Sequence, residues 1–261
     1  MNRVAKHWET DIRIEARQDE AGVEWHVPEE APVALIYNGL TFAVMLATPA
    51  DIWDFVYGFS LTEGIIDACG DVRSIDVNER QQGIDVSINI SERCFERLKL
   101  RQGRRSLEGR TSCGLCGIDS AERLFETPKS VAAAPATIPY GAVSVAIHQL
   151  ADAQPLKALN RSVHGAAWAD MTGSLKLVRE DVGRHNAADK LIGAMARVGM
   201  EPSDGFMLIT SRASFEIVEK ALRFGMQRVI ALSAPTGFAI RRAKAANLML
   251  ANWSDDRLTV F

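Results

Sequence analysis

Phe206-Met207-Leu208-Ile209-Thr210, then Ser214 to Phe224, then Arg228-Val229-Ile230-Ala231-Leu232: a short apolar run, an amphipathic stretch and a second apolar run follow in direct succession. Short apolar runs bounded by polar loops suit strands buried on both faces, and the segment between them has helical length and spacing. The pattern extends outward in both directions. Upstream it predicts a helix over 142–151, strands over 165–168 and 175–179, and a helix over 186–198. Downstream it predicts a helix over 237–246 and strands over 248–251 and 258–261. Strands alternating with amphipathic helices make this half α/β, with a largely parallel sheet covered on both faces.

The first third reads as mostly β. Ile12 to Ile14 and Val23 to Val27 are short strands, and Val33 to Tyr37 and Leu40 to Leu46 flank Asn38-Gly39, a strong hairpin signal. Thr48-Pro49 reads as the cap and first turn of a helix running through Thr62. Strands follow over 72–77 and 84–90, and Ser91 opens a helix to about Leu100. Between Arg101 and Pro139 the composition turns arginine- and glycine-rich, then alanine- and proline-rich, as in a connector. The division is therefore a β-rich N-terminal domain (1–100), a connector (101–138) and an α/β/α domain (139–261).

A chain of 261 residues, 47% hydrophobic, can bury one large core or two modest ones. Its formal net charge of -3 gives no overall attraction to nucleic acid or anionic membrane, although basic residues cluster over 97–110 and 241–244. The charged start has no apolar core of a signal peptide, and no run approaches the roughly 18 apolar residues of a membrane helix. Four cysteines without a secretion signal point to the reducing cytoplasm.

Open α/β sheets bind ligands beyond the carboxyl ends of their strands, where loops lead into helix N-termini. Three polar loops fall there. The first, Glu180 to Asn186, offers Asp181, Arg184, His185 and Asn186; the second offers Ser211, Arg212 and Ser214; the third offers Ser233 and Thr236. Hydroxyls and helix-start N–H groups suit phosphate oxygens, while plain capping accounts for Ser214 or Thr236 taken singly. His185 has Asp181 before it and Asp189 one turn after, and reads either as a phosphate donor or proton shuttle, or as a cap-region histidine paired to a carboxylate. His164 reads as structural, and the five tryptophans as packing.

Cys113 and Cys116 sit in Thr111-Ser112-Cys113-Gly114-Leu115-Cys116-Gly117, with Asp119 or Ser120 placed to cap a following helix. A thiol near a helix N-terminus and several arginines has a stabilised thiolate, and flanking glycines leave it accessible. Half of a zinc site is the main rival, but it needs two further ligands, and Cys69 and Cys94 stand singly. A zinc deaminase would need a proline where Ser112 stands, and a thioredoxin-type exchanger would place the pair directly after a strand. A reactive thiol pair with no resident metal is the favoured reading.

The cysteine stretch resembles that of the formate dehydrogenase accessory sulfurtransferases (the FdhD family). Arg179 to Lys190, Ser211 to Glu216, Ser233 to Thr236 and Leu61-Thr62-Glu63-Gly64 add to the resemblance, which runs over nearly the whole chain. It implies a protein, usually a homodimer, with a cytidine-deaminase-like C-terminal domain that lacks the deaminase zinc site. It implies that sulfur arrives as a persulfide from a cysteine desulfurase. The sulfur is then passed to the molybdenum bis-guanine-dinucleotide cofactor of formate dehydrogenase, whose GDP-like moieties occupy the pocket. By position, Cys113 matches the persulfide-bearing cysteine and Cys116 its companion. The family's cofactor-binding segment falls on Asn252, Trp253, Ser254, Asp255, Asp256 and Arg257. Asn252 and Ser254 replace an aromatic and an arginine usual there, and Ser162-Val163 replace a glycine pair before His164. A cofactor-binding chaperone, with incidental or metal-holding cysteines, is the alternative.

Overall fold

Asn38 and Gly39 both take positive φ, at 46° and 85°, so the backbone turns through the tight hairpin their residue types allow. This turn joins β3 (Ala31–Tyr37) to β4 (Leu40–Ala47). The computed structural model describes residues 8–18, 21–105, 130–132 and 138–261. With β5 (Val72–Arg80) and β6 (Gly83–Ile90) the hairpin forms a four-stranded sheet of order β4-β3-β6-β5, and β1 (Asp11–Gln18) pairs with β2 (Ala21–Pro28) as a separate ribbon. Val33, Leu35 and Tyr37 of β3 and Val86 and Ile88 of β6 pack on Phe55, Val56 and Phe59 of α1 (Ile52–Thr62) and on Cys94 and Leu98 of α2 (Glu92–Arg105).

The first of these helices begins later than Thr48-Pro49 suggests. Its N-cap is Asp51, held at φ 52°, and Thr48 is drawn away by bonds to residues more than 130 positions downstream.

The second half is built on a six-stranded sheet of order β12-β11-β10-β9-β7-β8. Its members are β7 (His164–Asp170), β8 (Leu175–Asp181), β9 (Gly205–Arg212), β10 (Arg228–Ser233), β11 (Met249–Ser254) and β12 (Arg257–Val260). The strands β9, β10 and β11 are parallel, whereas β7 opposes both its neighbours and β12 opposes β11. The sheet is therefore mixed rather than largely parallel. Coverage on both faces matches the alternation. Ala166, Trp168, Met207, Ile209 and Leu250 face α5 (Arg184–Arg197), α6 (Phe215–Phe224) and α7 (Gly237–Ala245). Their neighbours Ala167, Phe206, Leu208 and Ala251 face α3 (Tyr140–Asp152).

A short helix, α4 (Pro155–Asn160), escapes the sequence pattern because its N-terminus is closed from a distance. The Glu180 carboxylate accepts from the backbone N–H groups of Leu156 and Lys157, both at 2.9 Å. Trp168 and Trp253 are core residues, as packing tryptophans should be, but Trp25 and Trp53 are 49% and 45% exposed.

The two halves meet where α1 crosses α5. A Cβ on Gly58 would stand 1.7 Å from the Asp189 carbonyl oxygen, and one on Gly193 would stand 1.9 Å from that of Asp54. Only glycine permits such an approach at these two positions. No helix among the described residues is long and apolar enough to cross a membrane.

Candidate functional site

Strand directions decide which loops share an edge. With β9, β10 and β11 parallel, and β7 antiparallel to both β8 and β9, the carboxyl ends of β8, β9, β10 and β11 lie on one side with the start of β7. His164 pairs with Asp181 in register, Ser233 with Arg212, and Ala231 with Asn252. The three polar loops do come together, each leading into a helix: α5, α6 or α7. The second and third are joined directly by a bond from Thr236 N–H to the Ala213 carbonyl, 3.0 Å.

Asp181 and Asn186 are buried and committed to the protein itself. Asp181 Oδ2 meets Lys190 Nζ at 2.6 Å and accepts from Thr48 N–H at 3.0 Å. Its Oδ1 accepts from Gly183 N–H at 2.8 Å and from Asn186 Nδ2 at 3.0 Å. The Asn186 amide also donates to the Leu46 carbonyl, and Lys190 Nζ, wholly buried, donates to the Thr48 carbonyl, 2.9 Å. These residues shape the β8–α5 turn and brace it against β4.

A second brace follows one turn along. Asp189 accepts from Thr62 Oγ1 at 2.7 Å and from Lys220 Nζ at 2.9 Å. Burial opposes the charged Lys220 amine, but Asp189 and Glu63 outweigh it and hold its pKa above the usual lysine value. A third brace joins Asp54 to Arg179 and Arg197.

The first turn of α5 is different. Arg184 Nε, His185 Nε2 and Ser214 Oγ are buried atoms with no hydrogen-bond partner among the described residues. Ser214 is the N-cap of α6 yet makes no side-chain cap bond, whereas Thr236 caps α7 by accepting from Ala239 N–H. Both aspartates near His185 in sequence are engaged elsewhere. The carboxylate that faces it is Glu216, with Oε2 3.8 Å from Nε2. His185 beside it and Ser214, against the pull of partial burial, hold the Glu216 carboxyl down, at about 2. Burial, then the nearby charges of Arg184 and Lys157, push the His164 imidazole below the usual histidine value. Such an edge can receive an oxyanion: donors and helix-start amides converge there beside the Glu216 carboxylate.

The model of the FdhD/NarQ family matches residues 28–261. The chain belongs to this family. The sulfur carrier protein FdhD of Bordetella petrii is 48% identical over 224 residues, covering 86% of this chain and 80% of that protein. That of Cupriavidus necator is 48% identical over 227 residues, covering 87% and 78%. The crystal structure of a candidate formate dehydrogenase accessory protein from Desulfotalea psychrophila covers 97% of this chain and 96% of its own, with a TM-score of 0.73 at 21% identity, and shares the fold.

Within this FdhD/NarQ chain the remaining site residues divide. Ser211 is buried and donates to the Arg212 carbonyl, while Arg212 and Thr236 are exposed and Ser233 is partly so. Ser254, Asp255, Asp256 and Arg257 form the exposed β11–β12 turn, with both aspartates at positive φ, and Tyr140 Oη donates to the Asp256 carbonyl. Asn252 donates to the Ala231 carbonyl, and Trp253, 7% exposed, packs on Tyr140 within the α3-side core. This turn lies on the same edge as the three loops. Cys113 and Cys116 fall outside the described residues.

Asp67, Asp71 and Cys94 have ligand atoms within 4.8 Å of one another, but Arg93 and Arg97 pair with Asp67, and Arg93 also reaches Asp71. A concavity of about 730 Å³ lies elsewhere, lined by residues that include Leu61, Cys69, Met200 and Phe224.

Sequence reading missed Glu216 as the partner of His185. It stands in the first turn of α6, where an acidic residue is accounted for by the helix dipole alone.

Proposed function

We propose that this chain is a sulfur carrier acting as a persulfide sulfurtransferase, with the molybdenum bis-guanine-dinucleotide cofactor as acceptor and formate dehydrogenase as the enzyme served. The observation that carries this reading is the 48% identity, over most of both chains, to proteins named sulfur carriers. The Cys113 thiolate attacks the outer sulfur of a cysteine desulfurase persulfide. A new S–S bond forms on Cys113 and the desulfurase cysteine leaves as thiolate. Cys116 assists by transiently taking or resolving that sulfur. The edge formed by Arg184, His185, Arg212, Ser214, Ser233, Thr236 and the 252–257 turn binds the dinucleotide phosphates and guanines, while Asp181 and Asn186 hold its floor in shape. In this reading the protein is a cytoplasmic homodimer, and its second half takes the cytidine-deaminase-like form, a likeness supported by the mixed sheet with helices on both faces.

Incubation with a desulfurase and cysteine should add 32 Da to the peptide containing Cys113, about the mass of one sulfur atom. Cys113→Ser should keep the fold and guanosine diphosphate binding, yet leave formate dehydrogenase inactive. Absence of added sulfur, together with stoichiometric zinc, would favour a chaperone that only shields the cofactor.

A further inference from the structure

Glu216 and His185 occupy the first turns of adjacent helices, so their relation is set by the packing of α6 on α5 rather than by a loop. The separation of 3.8 Å is too long for a hydrogen bond, which needs about 3 Å, yet close enough for charge to act. His185 Nε2 and Ser214 Oγ are both buried beside the Glu216 carboxylate, near enough to hold it ionised although neither makes a formed hydrogen bond. Asp181 is taken by Lys190, Thr48, Gly183 and Asn186, and Asp189 by Thr62 and Lys220. Arg184 precedes it on the same helix, and His164 approaches from β7. Among the described residues Glu216 is left as the acidic group facing this ring.

We propose that Glu216 is a positioning residue: it orients His185 toward the ligand edge and sets how strongly the imidazole engages the phosphates of a nucleoside diphosphate. This rests on the reading of that edge as the dinucleotide site. A carboxylate at this distance favours the charged imidazole, the form that donates to a phosphate from both ring nitrogens. Glu216→Gln keeps the shape and removes the charge.

The test uses the full chain, with guanosine diphosphate as the probe. In the ligand-free protein, NMR of the His185 ring nitrogens should show a changed balance of ring tautomers in Glu216→Gln. Affinity for guanosine diphosphate near neutral pH should fall about two- to fivefold, the scale of a partly exposed charge pair. In a His185→Asn background, adding Glu216→Gln should change neither affinity nor its pH profile. Superimposable His185 ring-nitrogen signals would overturn the proposal, and so would an equal affinity loss in the His185→Asn background. If the unaltered chain binds no guanosine diphosphate, the dinucleotide reading fails and the ligand role of the pair falls with it. The ring-nitrogen signals still decide whether Glu216 governs His185.

Discussion

One helix shows two ways of using polar residues. On its inner side Asn186, Asp189 and Lys190 are buried and fully partnered, tying α5 to β4, α1 and α6. One turn earlier, Arg184 and His185 hold buried nitrogens that make no hydrogen bond among the described residues, with only the Glu216 carboxylate standing 3.8 Å from the His185 ring. The two sets are adjacent in sequence and equally polar, so residue type does not separate them. Partners do. A buried polar group that finds its partner in the protein stabilises the fold, and one without a partner carries a desolvation cost that a ligand can relieve.

The sharpest way to break this contrast is at Lys190. Lys190→Ala leaves Asp181 buried without its cation and should cost about 3–5 kcal/mol in chemical denaturation. A cost below about 1 kcal/mol would remove Lys190 from the set of braces. Next comes the helix crossing. Gly58→Ala forces a methyl group into the Asp189 carbonyl and should cost about 3 kcal/mol, because backbone meets backbone and no side chain can move aside.

The two helix caps give a smaller and more discriminating pair. Thr236→Ala removes a cap bond and should cost about 1 kcal/mol. Ser214→Ala removes a hydroxyl that caps nothing, should change stability by less than about 0.5 kcal/mol, and should weaken guanosine diphosphate binding in calorimetry.

The smallest effect concerns acid. The folded-state value of Glu216 lies below its unfolded one, so its contribution is complete above the ordinary glutamate range. It is lost as the pH falls through that range toward about 2. The acid limb of a stability curve should therefore be shallower in Glu216→Gln, while the two proteins run parallel from neutral pH upward.

Much of the fold was legible because it is written locally. Asn38-Gly39 marks its hairpin, and the alternation of Ala166 to Ala169 and Phe206 to Ile209 assigns successive residues to opposite faces of the sheet. What was not legible depends on distant partners. Thr48 looks like a helix cap, but its backbone N–H, carbonyl and hydroxyl all bond to groups of Asp181, Val182 and Lys190. The start of α4 is closed by Glu180, more than twenty residues away, so Gln154 gives no local signal for it. The mixed character of the sheet follows from β7 returning antiparallel, which strand length and hydrophobicity do not encode. The same holds at the site. The three loops could be assigned to one edge from sequence, but that Asp181 and Asn186 face inward while Glu216 meets His185 could not.

The clamp at Thr48 and Leu46 has a consequence for ligand capture. Because the turn from Glu180 to Asn186 is pinned to a separate sheet by several buried bonds, its backbone has little freedom left to surrender when a ligand arrives. Order is installed during folding, so under the proposed function a phosphate would meet a floor whose entropic penalty of shaping is already met.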